Sequence, residues 1–289
     1  MKTRNLIATF FLAAAAASAQ PFVYVVGIAP NGNPQFGTVN LASGGFNRIA
    51  YTQVGTTPVS LSNLVWRNGS LLSLGTSGPI AGYLVSIDPS TGAITVIGPT
   101  GLGYDAFSLA QVNGKLYVTD FNTGGISQNL YAVDPDTGAA NLIGPTGIPA
   151  DPNIPFTTNP DSTFNLCDES FHGVGGKLYA TFDSFNVLPS TLEVDKYPAD
   201  AAVSPALYEI DPSTGSTTLI APTNLFIGAT VELSGTLHGF KGVIIGFPGG
   251  FPSSFSELVQ MNLSTGAVRF LRLADVSAGV IFGAAQIPN

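Results

Sequence analysis

The chain has 289 residues and a formal net charge of −8; charged residues make up only 10% of it, while glycine and proline number 34 and 21. An acidic balance argues against nucleic acid and anionic membrane surfaces as partners, since neither offers positive charge to meet it. The glycine and proline content suits many short strands joined by tight turns.

At the start of the chain, Lys2 and Arg4 precede the apolar run LIATFFLAAAAA and then Ala17-Ser18-Ala19. A basic start, an apolar stretch of that length and a small-x-small site read as a signal peptide over residues 1–19, with cleavage after Ala19. The mature chain, 20–289, is then secreted or periplasmic. No later apolar run is long enough to span a bilayer, so no membrane insertion is expected. The one cysteine, Cys167, cannot close an internal disulfide, which leaves stability to packing.

From residue 83 a sentence begins that the chain repeats: YLVSIDPSTGAITVIG (83–98), NLYAVDPDTGAANLIG (129–144) and ALYEIDPSTGSTTLIA (206–221). Asp-Pro-x-Thr-Gly supplies a side-chain acceptor, a fixed φ and a residue tolerant of positive φ, which together make a tight turn. Weaker copies place Asn40 and Gly44, and Asn262 and Gly266, in the same frame. Alternating apolar residues on either side of each turn predict a β-hairpin.

Four of the five copies follow a second hairpin signal: RNGSLLSLG (67–75), VNGKLYVTD (112–120), VGGKLYATF (174–182) and FKGVIIGF (240–247). Each unit therefore holds four strands, a to d in chain order. The turn glycines are spaced by 48, 46, 77 and 51 residues, which is the period of β-propeller blades. The first unit lacks a strand before PFVYVVGIA, and one strand, AGVIFGAAQI (278–287), is left over at the end. The expected fold is all-β: a five-bladed β-propeller of four-stranded antiparallel blades, closed by the C-terminal strand entering the first blade from the inside.

The phrase LYxIDPxTGxxxxIGPTG resembles the repeats of secreted bacterial β-propellers of the quinoprotein-like and NHL or YVTN-like superfamilies, over essentially the whole mature chain. Lactonases and glycan-binding lectins occur on such folds, so the resemblance implies architecture and leaves activity to the site. Quinoprotein repeats carry a tryptophan that docks between blades; the lone Trp66 departs from that pattern, and no pyrroloquinoline quinone is expected.

The spacing of 77 marks two insertions in the fourth blade, at about 148–170 and 184–204. One enters strand a and the other joins strands b and c, so antiparallel alternation sends both from one face, opposite the DPSTG turns. Long loops on a rigid scaffold are common seats of binding and catalysis. This region carries Asp151, Asp161, Asp168, Glu169, Asp183, Glu193, Asp195 and Asp200 against only Lys177 and Lys196. Such a cluster can hold Ca²⁺, provide an acid and base for glycoside chemistry, or simply keep loops solvated. No cofactor is expected beyond that Ca²⁺ option.

Aligning SFHGVGGK with TLHGFKGV puts His172 and His238 at one repeat position, on the innermost strands of neighbouring blades. They could share a site with the acids, or fill a packing position occupied by Val65 and Ala110 in other blades. No H-E-x-x-H or Cys-His spacing supports zinc, and Cys167 beside Asp168 and Glu169 is no thiolate nucleophile. The candidate ligand-binding residues are His172, His238, Asp168, Glu169, Asp183 and Asp105.

Two functions follow from this reading. The first is a monomeric exported module binding a glycan, small molecule or protein through the insertion face. The second is a hydrolase or lactonase-like enzyme with His172 and His238 at the channel mouth.

Overall fold

A computed structural model describes residues 22–103, 106–120, 127–149, 170–182, 206–223, 227–233, 236–245 and 253–288. Residues 1–21, which include the expected signal peptide, and the stretches 150–169 and 183–205 of the two insertions lie outside them. Five four-stranded antiparallel sheets form a five-bladed β-propeller. Blade 2 is β6 (Val65–Arg67), β7 (Ser70–Leu74), β8 (Tyr83–Ile87) and β9 (Ile94–Pro99). Blade 3 is β10 (Ala106–Val112), β11 (Lys115–Asp120), β12 (Ser127–Val133) and β13 (Ala140–Pro149). Blade 4 is β14 (Ser170–Val174), β15 (Lys177–Phe182), β16 (Ala206–Ile210) and β17 (Thr217–Pro222). Blade 5 is β18 (Ala229–Leu233), β19 (Thr236–Ile245), β20 (Ser253–Met261) and β21 (Val268–Leu273).

Blade 1 closes the ring as the sequence predicts. Its inner strand is β22 (Val280–Gln286), paired antiparallel with β1 (Phe22–Ile28), followed by β2 (Pro34–Asn40) and β3 (Phe46–Tyr51). A small hairpin of β4 (Gln53–Val54) and β5 (Thr57–Pro58) sits between blades 1 and 2.

The inner hairpins turn where two residues tolerate positive φ: Asn68-Gly69, Asn113-Gly114 and Gly175-Gly176. In blade 5 the expectation fails. Lys241 and Gly242 are not a turn; they lie within β19, paired with Glu257 and Ser256 of β20, and Lys241 forms an ion pair with Glu257 at 3.4 Å. The chain reverses instead between Leu233 and Thr236, which face each other across the hairpin. The Lys-Gly pair read as a turn because alternating apolar residues flank it on both sides, a pattern that a ten-residue strand shows equally well.

The DPxTG turns do more than reverse the chain. In blade 2, Asp88 Oδ1 accepts the backbone N–H groups of Ser90 and Thr91 and the Ser90 hydroxyl, and these bonds draw its pKa down to about 2. Gly92 completes the turn at φ +72°. Successive strands of a sheet twist relative to one another, which carries the outer strand of each blade towards the turn of the next. A Cβ on Gly98 of β9 would lie 2.1 Å from the carbonyl oxygen of Thr137, in the turn of blade 3. One on Gly144 of β13 would lie 2.4 Å from that of Thr214, in the turn of blade 4. Ala140 N–H donates across the same seam to Thr100 O, and Thr217 Oγ1 to Thr146 O. Each repeated turn is thus a latch onto the preceding blade.

Every outer strand also carries a β-bulge at the same place. The register shift against the neighbouring strand leaves Ile49, Ile97, Ile143, Ile220 and Leu271 as the extra residues. All five are partly buried against an inter-blade cluster. A bulge disfavours edge-to-edge pairing with another sheet, and here it also turns one aliphatic side chain per blade into the seam. The doubled apolar letters of ITVIG, ANLIG and TTLIA are its sequence trace. Trp66 serves one seam as well, stacking on Tyr24 of blade 1 at 6.1 Å and 4°.

Candidate functional site

Strand direction places the connections 150–169 and 183–205 at one end of blade 4, since they leave from Pro149 and Phe182 and return at Ser170 and Ala206. Asp168, Glu169 and Asp183 fall within them, and Asp105 falls between β9 and β10; all four lie outside the described residues. Of the six candidates, only the histidines have described surroundings.

His172 lies on β14, the innermost strand of blade 4, as expected. Its Nε2 accepts the backbone N–H of Glu232 on β18 at 3.1 Å, joining blade 4 to blade 5. The residue keeps some exposed surface, but its ring is packed in the seam, and burial pushes its pKa down to about 4. A neutral imidazole whose lone pair is committed to a backbone amide has little left for a metal or a substrate proton.

His238 is not its repeat equivalent. Because the blade 5 hairpin turns earlier than the sequence suggested, His238 falls on β19, the second strand, opposite Val231. Its counterparts are Tyr179 and Tyr117, while the counterpart of His172 is Val231. Val231 and Phe240 belong to the cluster shared with blade 1, and Leu237 to the cluster shared with blade 4. Strand alternation then turns His238 towards blade 1, so the sheet of blade 5 separates the two imidazoles. Burial lowers the His238 pKa, opposed by the Thr236 backbone and the Glu232 charge, and its Nδ1 is buried without a partner.

The axis at the insertion end is bridged by polar side chains. Asn63, which precedes β6 and is 3% exposed, donates through Nδ2 to Ser108 Oγ at 3.0 Å and to Phe171 O at 2.9 Å. One carboxamide thereby ties blade 2 to blades 3 and 4. Beside it, Thr181 Oγ1 donates to Ser170 Oγ at 3.0 Å, and Ser170 Oγ to Thr230 Oγ1 at 3.3 Å. Buried polar groups paired in this way hold neighbouring inner strands in fixed relation. Asp120, at the end of β11, accepts from Asn129 N, Asn129 Nδ2 and Tyr131 Oη, so this buried acid is used internally. Neither Asn63 nor Asp120 repeats in the other blades, and so neither had a sequence signal. Among the described residues no group of three or more His, Cys, Asp or Glu could hold a metal, and no helix is long and apolar enough to cross a membrane.

No protein-family description and no curated protein matches the chain. Among solved structures, it is similar to a chain of the nidogen/laminin complex, with 10% identity and a TM-score of 0.51 over 92% of this chain and 98% of that one. It is also similar to TolB from Acinetobacter baumannii, with 13% identity and a TM-score of 0.46 over 88% and 53%. At such identities a likeness concerns the fold. The chain is a β-propeller repeat protein.

Proposed function

We propose that this chain is an exported, monomeric binding module that takes a glycan, small molecule or protein through the insertion face of blade 4. The observation that carries this reading is topological. Both interruptions of an otherwise regular repeat leave the same end of one blade, beside an axis that Asn63 bridges. The scaffold there is rigid, and the variation is concentrated on it. Asp168, Glu169 and Asp183 would supply carboxylate ligands from those loops, with Ca²⁺ as the ion their chemistry suits. The similar chain from the nidogen/laminin complex supports a propeller in a protein-binding setting. The enzyme reading is weaker, because its two histidines face different seams and one is already bonded to backbone.

The test is a pair of chains. In the second, 150–169 and 183–205 are replaced by connections as short as 121–126. Both are screened against oligosaccharides and lactones, with and without Ca²⁺. We expect the full chain to bind members of the panel without turnover, and the shortened chain to lose that binding tenfold or more at an unchanged unfolding temperature. Equal binding by the shortened chain, or lactone turnover by the full one, overturns the proposal.

A further inference from the structure

At the opposite end of the next blade lies a site the insertion face does not involve. A cavity of about 480 Å³ opens on blade 5, with Thr236, Gln260, Asn262, Leu263, Val268 and Arg269 among the residues lining it. Ligand pockets of this size hold small molecules. The five blades can be compared at one ladder position here, where the third strand faces the fourth. The cross-strand pairs are Thr38–Asn47, Ser86–Thr95, Ala132–Asn141, Glu209–Thr218 and Gln260–Arg269. Four outer strands offer a neutral side chain at this point, and blade 5 alone offers a guanidinium.

The chemistry of that pair is reversed from blade 4. There Glu209 is the acid and takes Lys177 as its ion partner at 2.8 Å. In blade 5 a glutamine stands in place of the acid, and Thr236 in place of the lysine. Arg269 donates to Gln260 Oε1 at 2.5 Å and meets no carboxylate among the described residues. A guanidinium has five donors in a planar fork suited to a carboxylate, and one bond to a carboxamide leaves most of them unused. Gln260, with its oxygen engaged, keeps amide hydrogens to donate, and Thr236 adds a hydroxyl. In a chain of net charge −8, a cation beside a cavity with no carboxylate partner among the described residues is a place for an anion.

We propose that this cavity binds a sugar carboxylate of the hexuronate class. The guanidinium of Arg269 takes the carboxylate, and the Gln260 and Asn262 amides and the Thr236 hydroxyl, on the same face of the sheet, take the ring hydroxyls. A neutral sugar has nothing to give the guanidinium, and a bare acid such as acetate has nothing for the amides.

The experiment titrates the full chain with galacturonate and glucuronate by ligand-observed NMR, with galactose and acetate as controls. Saturable uronate binding is expected, at least tenfold stronger than either control and weakened by salt. Arg269→Gln should remove it at an unchanged unfolding temperature. The chain lacking both insertions should bind uronate as the full one does, so failure here is distinct from failure of the insertion-face proposal. Thr236→Phe, which fills the cavity from its rim, gives the same readout should the arginine variant not fold. Equal binding of galactose, retained binding in both variants, or no uronate binding by the full chain overturns the assignment.

Discussion

Blades 4 and 5 are adjacent copies of one repeat, and they depart from it in different ways. Blade 4 keeps the hairpin register and the DPSTG turn but is interrupted twice at one end. Blade 5 is uninterrupted in its outer turn, yet its inner hairpin reverses earlier than in blade 3, and its ladder carries Gln260–Arg269 where blade 4 carries Glu209–Thr218. The seams themselves are preserved in both: a latching turn glycine, and a bulged Ile220 or Leu271 in the inter-blade cluster. Conserving the seams leaves the ends of strands and the exposed ladder positions free to vary. That is where binding chemistry can be added without opening the ring.

The broadest way to break this comparison is through the core. Phe171 of blade 4 and Phe240 of blade 5 are among the largest fully buried side chains, each in a different seam. Truncating either to alanine should cost about 3–5 kcal/mol in chemical denaturation, from lost transfer energy and the cavity left behind. If the blades form one cooperative ring, both variants unfold in a single transition with similar losses. Two transitions for Phe171→Ala alone would show that blade 4 is a separable unit, and the comparison between equal blades would fail.

How much of this was legible in the sequence depends on whether a feature repeats. The blade count, the ring closure by β22 and the outer turns could be read, because five copies of one pattern vote for each residue's role. The latching function of Gly98 against Thr137 could not, since it depends on the twist that brings an outer strand to the next blade's turn. His238 lies on the second strand, not the innermost one, because Lys241-Gly242, flanked by alternating apolar residues as a hairpin turn would be, sits inside a ten-residue strand. Asn63, Asp120 and Arg269 occur once each at their repeat positions. A singular residue has no pattern to announce it, and the partners of Asn63 also come from other blades.

The next effect is one of pH, and it centres on His172 in the seam between blades 4 and 5. His172 is neutral in the fold, with a pKa near 4 against an ordinary value of 6.5. Below pH 6.5 the unfolded chain takes up a proton that the folded chain refuses, so stability is full above 6.5 and falls as pH drops towards 4. The whole shift corresponds to at most about 3 kcal/mol. His172→Gln can still accept from Glu232 N–H but does not titrate, and its unfolding free energy should fall less between pH 6.5 and 4 than that of the native chain. Asp88, already drawn down to about 2 by its turn, titrates below this window. Indistinguishable pH profiles would show that His172 is not the group responsible, and the seam between blades 4 and 5 would have no special pH sensitivity.

The smallest expected effect is the one that sharpens the comparison most. The Lys177–Glu209 pair of blade 4 is well exposed, with 54% and 34% of the side-chain surfaces open, so solvent screens it and Glu209→Gln should leave the unfolding temperature unchanged. The reciprocal change, Gln260→Glu, gives blade 5 the acid of blade 4 at the same ladder position, directly across from Arg269. It should likewise leave thermal unfolding unchanged, because another surface ion pair adds little. Its effect belongs to the ligand: an internal carboxylate occupies the guanidinium, and galacturonate binding should fall tenfold or more. If both substitutions are silent in every measurement, the ladder position is ordinary surface in both blades. If Gln260→Glu alone abolishes uronate binding, the difference between the two blades is one of function, set by a single exchanged charge on a common scaffold.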